Sequence, residues 1–257
     1  MAVKGSWRMA RLAGVDINVH WSFSFIIVWI ILQGALSHGK LEGIVFALVA
    51  VLLLFVCVTL HELGHAFMAQ WLNIRVKNII LLPIGGLAQM QSLPEKPEHE
   101  MLIAGAGPAV NLSITMALVP AALMFSEEAL LRGFLASPGT VLEAVMQSFF
   151  QEGALLGLII FLLLSNAILF VFNLIPAFPM DGGRILRAVL ALFLSYPLAT
   201  RIAVAIGYTI ALLLVLGAFH FRNPGLLFVA VFVFIAGRPV RVKPAQQSLS
   251  PFLNSRD

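Results

Sequence analysis

The segment VTLHELGHAFM, from Val58 to Met68, holds two histidines and a glutamate in the spacing His-Glu-x-x-His. Residues four apart share one face of a helix, so the imidazoles of His61 and His65 can bind the same metal ion. Glu62 points roughly 100° away around the helix, where it can contact a metal-activated water without being a ligand. The motif predicts a zinc site with Glu62 as general base.

This motif lies in a long apolar run, from Gly43 to about Leu72. Histidines can also be hydrogen-bonded core groups or line a pore. However, an ionisable side chain in hydrocarbon is costly unless a partner compensates it. The setting therefore favours a metal site over a chance match.

A catalytic zinc usually has three protein ligands, so one ligand is missing from the motif. Cys57 precedes His61 by four residues. Cys57, His61 and His65 together extend over about 12 Å of helical rise, while zinc ligands lie about 2 Å from the ion. We therefore interpret Cys57 as a small packing residue.

Asp181 is the better candidate for the third ligand. It lies in NLIPAFPMDGGR, where Pro176 and Pro179 interrupt regular helix and two glycines allow close backbone approach. Broken backbone at membrane depth is tolerated where protein or a cavity surrounds it. The alternative is that Asp181 caps the helix that follows, and one residue can have both roles.

Composition identifies an integral membrane protein. The 257 residues are 60% hydrophobic and 11% charged, against about 45–50% and 25% in soluble domains. A helix needs about 20 apolar residues to cross a bilayer. Six spans are predicted in an all-α membrane fold, together with a short re-entrant, β-like segment at Asn78–Met90: His20–Leu36, Gly43–Leu72, Met101–Phe125, Gly153–Met180, Ile202–Phe221 and Asn223–Gly237.

The basic residues predict the orientation in the membrane. Thirteen of the sixteen lysines and arginines fall on the side that holds both termini, which predicts cytoplasmic termini in a multi-pass cell-membrane protein. We divide the chain into a cytoplasmic segment (1–19), a six-span core (20–237) and a cytoplasmic tail (238–257). The positive net charge needs no nucleic-acid partner, because basic loops meet anionic lipid heads.

The twelve acidic residues sort by position along the chain. Only Glu62 and Asp181 lie within apolar spans, whereas the other ten, including Glu100, are assigned to loops or tails. Both candidates fall near the cytoplasmic ends of spans that run in the same direction. Arg184 and Arg187 are interpreted as cytoplasmic anchors.

Three motifs together resemble the site-2 protease family of intramembrane zinc metalloproteases. They are HELGH, the N-x-x-P-x-x-P-x-D-G-G pattern in NLIPAFPMDGGR, and GPAVN at Gly107–Asn111. DINVHWSF is similar to the start of the compact six-helix branch. A PDZ insertion does not fit between Phe125 and Gly153, and paired CBS modules do not fit after Arg238, so regulation by either is not expected.

The resemblance implies an intramembrane zinc endopeptidase that binds one zinc ion through His61, His65 and Asp181. It implies Glu62 as the catalytic acid/base. Substrates would be membrane proteins cut in or near a transmembrane helix, close to the cytoplasmic side, including tethered transcriptional regulators.

Substrate contacts are also implied by the resemblance. Asn111 and Asn173 match polar positions that hold the substrate carbonyl or backbone, and Gly85 and Gly86 are further candidates. An unwound substrate needs a strand edge, which Asn78–Met90 can offer. The alternative is an apolar loop that plugs the cytoplasmic side.

Two other functions are open to a chain with these residues. A metal or proton transporter would use the same histidines and acids, but would place polar groups along the full depth of several spans. Here they cluster at one end. A catalytically inactive scaffold is disfavoured because the motif keeps its glutamate.

Overall fold

The computed structural model describes residues 5–36, 41–83, 85–90, 94, 96–125 and 153–237. The predicted tail at 238–257 lies outside these residues. Strands and helices are numbered within the described ranges. They are β1 (Ser6–Leu12), β2 (Val15–His20), α1 (Ser24–Leu36), α2 (Leu41–Trp71), β3 (Val76–Leu82), β4 (Gly85–Met90), α3 (Pro97–Phe125), α4 (Ala154–Asn173), α5 (Asp181–Ala191), α6 (Tyr196–His220) and α7 (Pro224–Ala236).

Four of the described helices, α2, α3, α4 and α6, are long and apolar enough to cross a membrane. The predicted helical membrane fold is confirmed, but the count of six spans is not. Both α1 and α7 have only 13 residues, fewer than the roughly 20 a crossing needs. The span expected to continue to Met180 ends at Asn173, because the proline-containing segment 174–180 leaves the helix.

A four-stranded sheet in the order β1-β2-β3-β4 accompanies the helices. The outer pairs are antiparallel and the β2–β3 pair is parallel. A short re-entrant, β-like segment was predicted at Asn78–Met90, and the structure has the two strands β3 and β4 there rather than an apolar loop. The all-α assignment omitted β1 and β2, which form from the segment expected to precede the core.

The inner face of the sheet packs on the C-terminal half of α2. Alternate residues of β2 point inward because side chains alternate along a strand. The buried cluster unites Val15, Ile17, Val76, Ile79 and Leu81 of the sheet with Leu63, Ala66 and Ala69 of α2 and Ile103 of α3. This packing holds β4 beside the turn of α2 that carries the histidines.

Helix α3 packs against α2, α4 and α5. Its contact with α2 is close at Gly64, where a Cβ atom would lie 2.8 Å from the carbonyl oxygen of Ala106 and 2.8 Å from Val110. The glycine inside the HELGH motif therefore lets α3 approach the metal-ligating face of α2.

Candidate metal centre

The three predicted ligands, His61, His65 and Asp181, converge in the structure. The two Nε2 atoms are 3.1 Å apart, and they lie 3.3 Å and 3.1 Å from Oδ2 of Asp181. Ligands at about 2.0–2.1 Å from a tetrahedral zinc are separated by roughly 3.3 Å. All three residues are buried, and the spacing of their donor atoms fits one zinc ion.

Each imidazole is held by its other ring nitrogen. Nδ1 of His61 lies 2.5 Å from the side-chain oxygen of Asn111, and Nδ1 of His65 lies 2.6 Å from the carbonyl oxygen of Ile103. Carbonyl oxygens only accept hydrogen bonds, so both Nδ1 atoms donate. Both Nε2 atoms therefore present lone pairs, as metal ligation requires.

The site thus brings three electron-pair donors together in a buried place. Arg184 lies 3.6 Å from Oδ1 of Asp181, and its positive charge favours the ionised carboxylate. An ionised carboxylate facing two imidazole lone pairs is the chemistry of a cation site.

Asp181 is the first residue of α5, and this position brings its carboxylate to the two histidines of α2. The residue before the helix, Met180, makes no side-chain capping bond. The Asp181 carboxylate contacts His61 and His65 through Oδ2 and Arg184 through Oδ1 at 3.6 Å. Gly183 permits the fold, because a Cβ there would lie 2.6 Å from the backbone of Ala177.

Glu62 borders a cavity of about 190 Å³ that also contains the three ligands. Its carboxyl group hydrogen-bonds to the backbone of Ala88 in β4. Gly86 leaves room for it, since a Cβ at that position would lie 2.7 Å from the carboxyl carbon of Glu62. The remaining lining residues are Met90, Asn173, Pro179 and Arg184.

Two of the four substrate-contact candidates line the cavity and two do not. Asn173 and Gly86 line the cavity, whereas Gly85 is the first residue of β4 and is not a lining residue. Asn111 is fully buried behind His61, with its side chain bonded to His61 and to Asn166. Cys57 is buried and lies outside the ligand group.

A second buried charged group was assigned wrongly from the sequence. Glu100 is not a loop residue: it lies in the first turn of α3 and is 1% exposed. It is ion-paired with Arg187 of α5 and accepts a hydrogen bond from the hydroxyl of Tyr196. Of the two proposed cytoplasmic anchors, Arg187 thus pairs with a buried acid and Arg184 borders the cavity.

The His-His-Asp group is a candidate metal site, with both histidines on a helix long enough to cross a membrane and the aspartate at the start of α5. The chain belongs to peptidase family M50, whose family model matches residues 49–217. The resemblance to site-2 proteases is thereby confirmed. A solved structure titled Site-2 Protease from Methanocaldococcus jannaschii is 32% identical, with a TM-score of 0.58, and the match covers 93% of this chain and 98% of that one.

Two curated proteins are also similar to this chain. Zinc metalloprotease MJ0392 of Methanocaldococcus jannaschii is 36% identical over 229 residues, 89% of this chain and 58% of the relative. Stage IV sporulation protein FB of Bacillus subtilis is 30% identical over 188 residues, 73% of this chain and 54% of the relative. The chain thus spans a little over half the length of these proteins.

Proposed function

We propose that this chain is an intramembrane zinc endopeptidase that cuts a peptide bond in or near a transmembrane helix of its substrate. One observation carries the proposal. The donor atoms of His61, His65 and Asp181 lie 3.1–3.3 Å apart, and Glu62 borders the same cavity. Relatives named as zinc metalloproteases support the choice of metal.

The residues divide the reaction between them. His61, His65 and Asp181 would hold one zinc ion, which when bound would supply Lewis-acid activation of water and of the scissile carbonyl. Glu62 takes a proton from the attacking water as the water oxygen bonds to the carbonyl carbon. It then gives that proton to the amide nitrogen as the carbon–nitrogen bond breaks.

Substrate positioning falls to β4 and Asn173. β4 is an edge strand of the described sheet, and its alternate residues Gly86, Ala88 and Met90 border the cavity. An unwound substrate segment can pair with that edge through its backbone. The amide of Asn173 donates one hydrogen to the Leu169 carbonyl and has a second hydrogen for the substrate carbonyl oxygen.

The substrate is inferred to be a membrane protein with a transmembrane helix, such as a tethered transcriptional regulator. We place the chain in the cell membrane with both termini in the cytoplasm, because basic residues concentrate on that side. Cleavage then occurs close to the cytoplasmic surface. The bilayer and the substrate are the expected partners, and nucleic acid is not.

The central test is Glu62→Gln, with the full chain reconstituted in vesicles beside a library of single-span substrates. We expect cleavage to fall to background while bound zinc, measured by metal analysis, stays at the wild-type level. The loss follows because glutamine cannot take up the proton.

Glu42→Gln is the matched control, because Glu42 is an exposed acid at the opposite end of the same helix. It should keep both zinc and cleavage. Cleavage by Glu62→Gln would remove Glu62 as the base. If the wild-type chain carried zinc across the vesicle membrane and cleaved no substrate, the transporter hypothesis would be favoured instead.

A further inference from the structure

Three buried polar side chains form a chain of hydrogen bonds that ends on a metal ligand. Nδ1 of His61 is 2.5 Å from Oδ1 of Asn111, and Nδ2 of Asn111 donates to Oδ1 of Asn166 at 2.8 Å. Nδ2 of Asn166 donates to the carbonyl oxygen of Leu162 at 2.8 Å. Both asparagines are 0% exposed, so water does not compete for these bonds.

The direction of each bond follows from its far end. The Leu162 carbonyl can only accept, so Asn166 must present its NH₂ group to that carbonyl and its oxygen to Asn111. Asn111 must then donate to Asn166 and present its own oxygen to His61. Among the described residues, the hydrogen that satisfies this oxygen is the one on Nδ1 of His61.

We propose that Asn166 is a positioning residue that fixes the tautomer of His61 through Asn111, leaving the Nε2 lone pair directed at the metal. This inference rests on the proposed metal site. It gives Asn111 the role of orienting a ligand, in place of the substrate contact that its motif implied. Nothing in the mechanism above uses Asn166, which lies on a different helix from both histidines.

The second histidine provides an internal comparison. Nδ1 of His65 is bonded directly to the backbone carbonyl of Ile103 at 2.6 Å. A backbone carbonyl needs no further group to fix its polarity, whereas the Asn111 amide can rotate by half a turn and exchange its oxygen and nitrogen. Disturbing Asn166 should therefore affect His61 and leave His65 unchanged.

The consequence for the enzyme is that His61 has the tautomer required for ligation before the metal binds. If the Asn111 amide rotated by half a turn, its NH₂ group would face His61 and favour the tautomer with the hydrogen on Nε2. That tautomer must lose its Nε2 hydrogen before it can ligate. Removing a side chain that orients a ligating histidine typically weakens metal binding about 10–100-fold.

The direct test is ¹⁵N NMR of histidine side chains in the zinc-free full-length chain in lipid nanodiscs, at a pH where the imidazoles are neutral. Protonated and unprotonated ring nitrogens are resolved by their shifts. The His61 signals are assigned by their loss in His61→Gln. We expect Nδ1 of His61 to carry the hydrogen in the wild-type protein, and a hydrogen on Nε2 would overturn the proposal without any variant.

Asn166→Leu removes the group that fixes the orientation of Asn111. Mixed tautomers at His61 and an unchanged His65 are expected. Zinc affinity, measured against a chromogenic chelator, should fall about 10-fold, and that of Asn111→Leu about 100-fold. Unlike Asn111→Leu, Asn111→Asp should keep a single tautomer of His61 with the hydrogen on Nδ1, because a carboxylate also accepts a hydrogen bond from Nδ1.

Thr115→Val is the matched control, since Thr115 is buried one turn from Asn111 and, within the described part of the chain, its side chain bonds only to the backbone carbonyl of Asn111. It should leave the tautomer and zinc affinity as in the wild type. A pure Nδ1 tautomer in Asn166→Leu would overturn the proposal while the zinc site stood. A wild-type chain that bound no zinc would overturn the proposed function, and the tautomer measurement would still decide the role of Asn166.

Discussion

Two buried polar clusters lie against α3, and they differ in how their charges are satisfied. The metal cluster consists of His61, His65 and Asp181, whose facing atoms all present lone pairs. The Glu100 cluster consists of Glu100, Arg187 and Tyr196, in which the carboxylate receives donors from the guanidinium and the hydroxyl. The first cluster therefore offers lone pairs to a cation, whereas in the second each acceptor already faces a donor.

The comparison shows that burial of a charge does not by itself indicate catalysis. Glu100 is more deeply buried than Glu62 or Asp181, yet every charge in its cluster is matched. The two clusters are also neighbours along the chain, since the Arg187 guanidinium lies 5.1 Å from the ring centre of Phe178, three residues before Asp181.

The largest expected effect comes from breaking the metal cluster with Asp181→Ala. Zinc content should fall to background and cleavage should stop, because two imidazoles alone leave the ion short of a protein ligand. Zinc stabilises the wild-type fold by binding the native state, by about 2.7 kcal/mol at a hundred times its Kd. The unfolding midpoint of Asp181→Ala, followed by circular dichroism, should no longer rise with zinc.

Asp16→Ala provides the control for loss of an acid elsewhere, since Asp16 pairs only with Arg8 and Arg11 at the protein surface among the described residues. Its zinc response should match the wild type. Full zinc occupancy in Asp181→Ala would remove Asp181 from the ligand set.

The next largest effect is expected in the other cluster, from Glu100→Leu. This change leaves the Arg187 guanidinium, whose side chain is 14% exposed, without its counter-charge. Breaking one partner of a buried ion pair costs about 3–5 kcal/mol. The free energy of unfolding, measured by denaturant titration, should fall by that amount, while zinc bound per folded molecule stays constant.

The double variant Glu100→Leu with Arg187→Leu should recover much of that loss, because no unpaired charge remains buried. Loss of zinc in Glu100→Leu without loss of stability would mean that the two clusters are one functional unit. That result would remove the distinction between them.

The sequence predicted the metal cluster because each half carries a local signal. HELGH combines helical spacing with an apolar setting, and Asp181 follows two prolines and precedes two glycines. Glu100 carries no such signal. It stands beside Glu98 in a polar stretch, and its partner Arg187 is 87 residues away. Only the packing of α3 against α5 distinguishes the two glutamates.

Two other omissions had signals that went unused. Val15, Ile17 and Val19 alternate with polar residues, which is the pattern of a half-buried strand. They were assigned to the cytoplasmic segment 1–19, so β1 and β2 were missed. Asn166 is a neutral amide in a long apolar run, and a search restricted to ionisable groups passes over it. An amide at that depth needs a partner as well.

The smallest effect, and the finest test of the comparison, is expected from Tyr196→Phe. Phenylalanine keeps the ring beneath Arg187, whose guanidinium lies 5.3 Å from the ring centre, and removes only the hydroxyl that donates to Glu100. A hydrogen bond to a charged group contributes about 1.5–3 kcal/mol. Because Arg187 still pairs with Glu100, we expect a loss of stability near the lower figure by denaturant titration, with unchanged zinc affinity. If Tyr196→Phe lost as much free energy of unfolding as Glu100→Leu, the Glu100–Arg187 ion pair would depend on the Tyr196 hydroxyl. The charge of Glu100 would then be stabilised by both neighbours together and not by Arg187 alone.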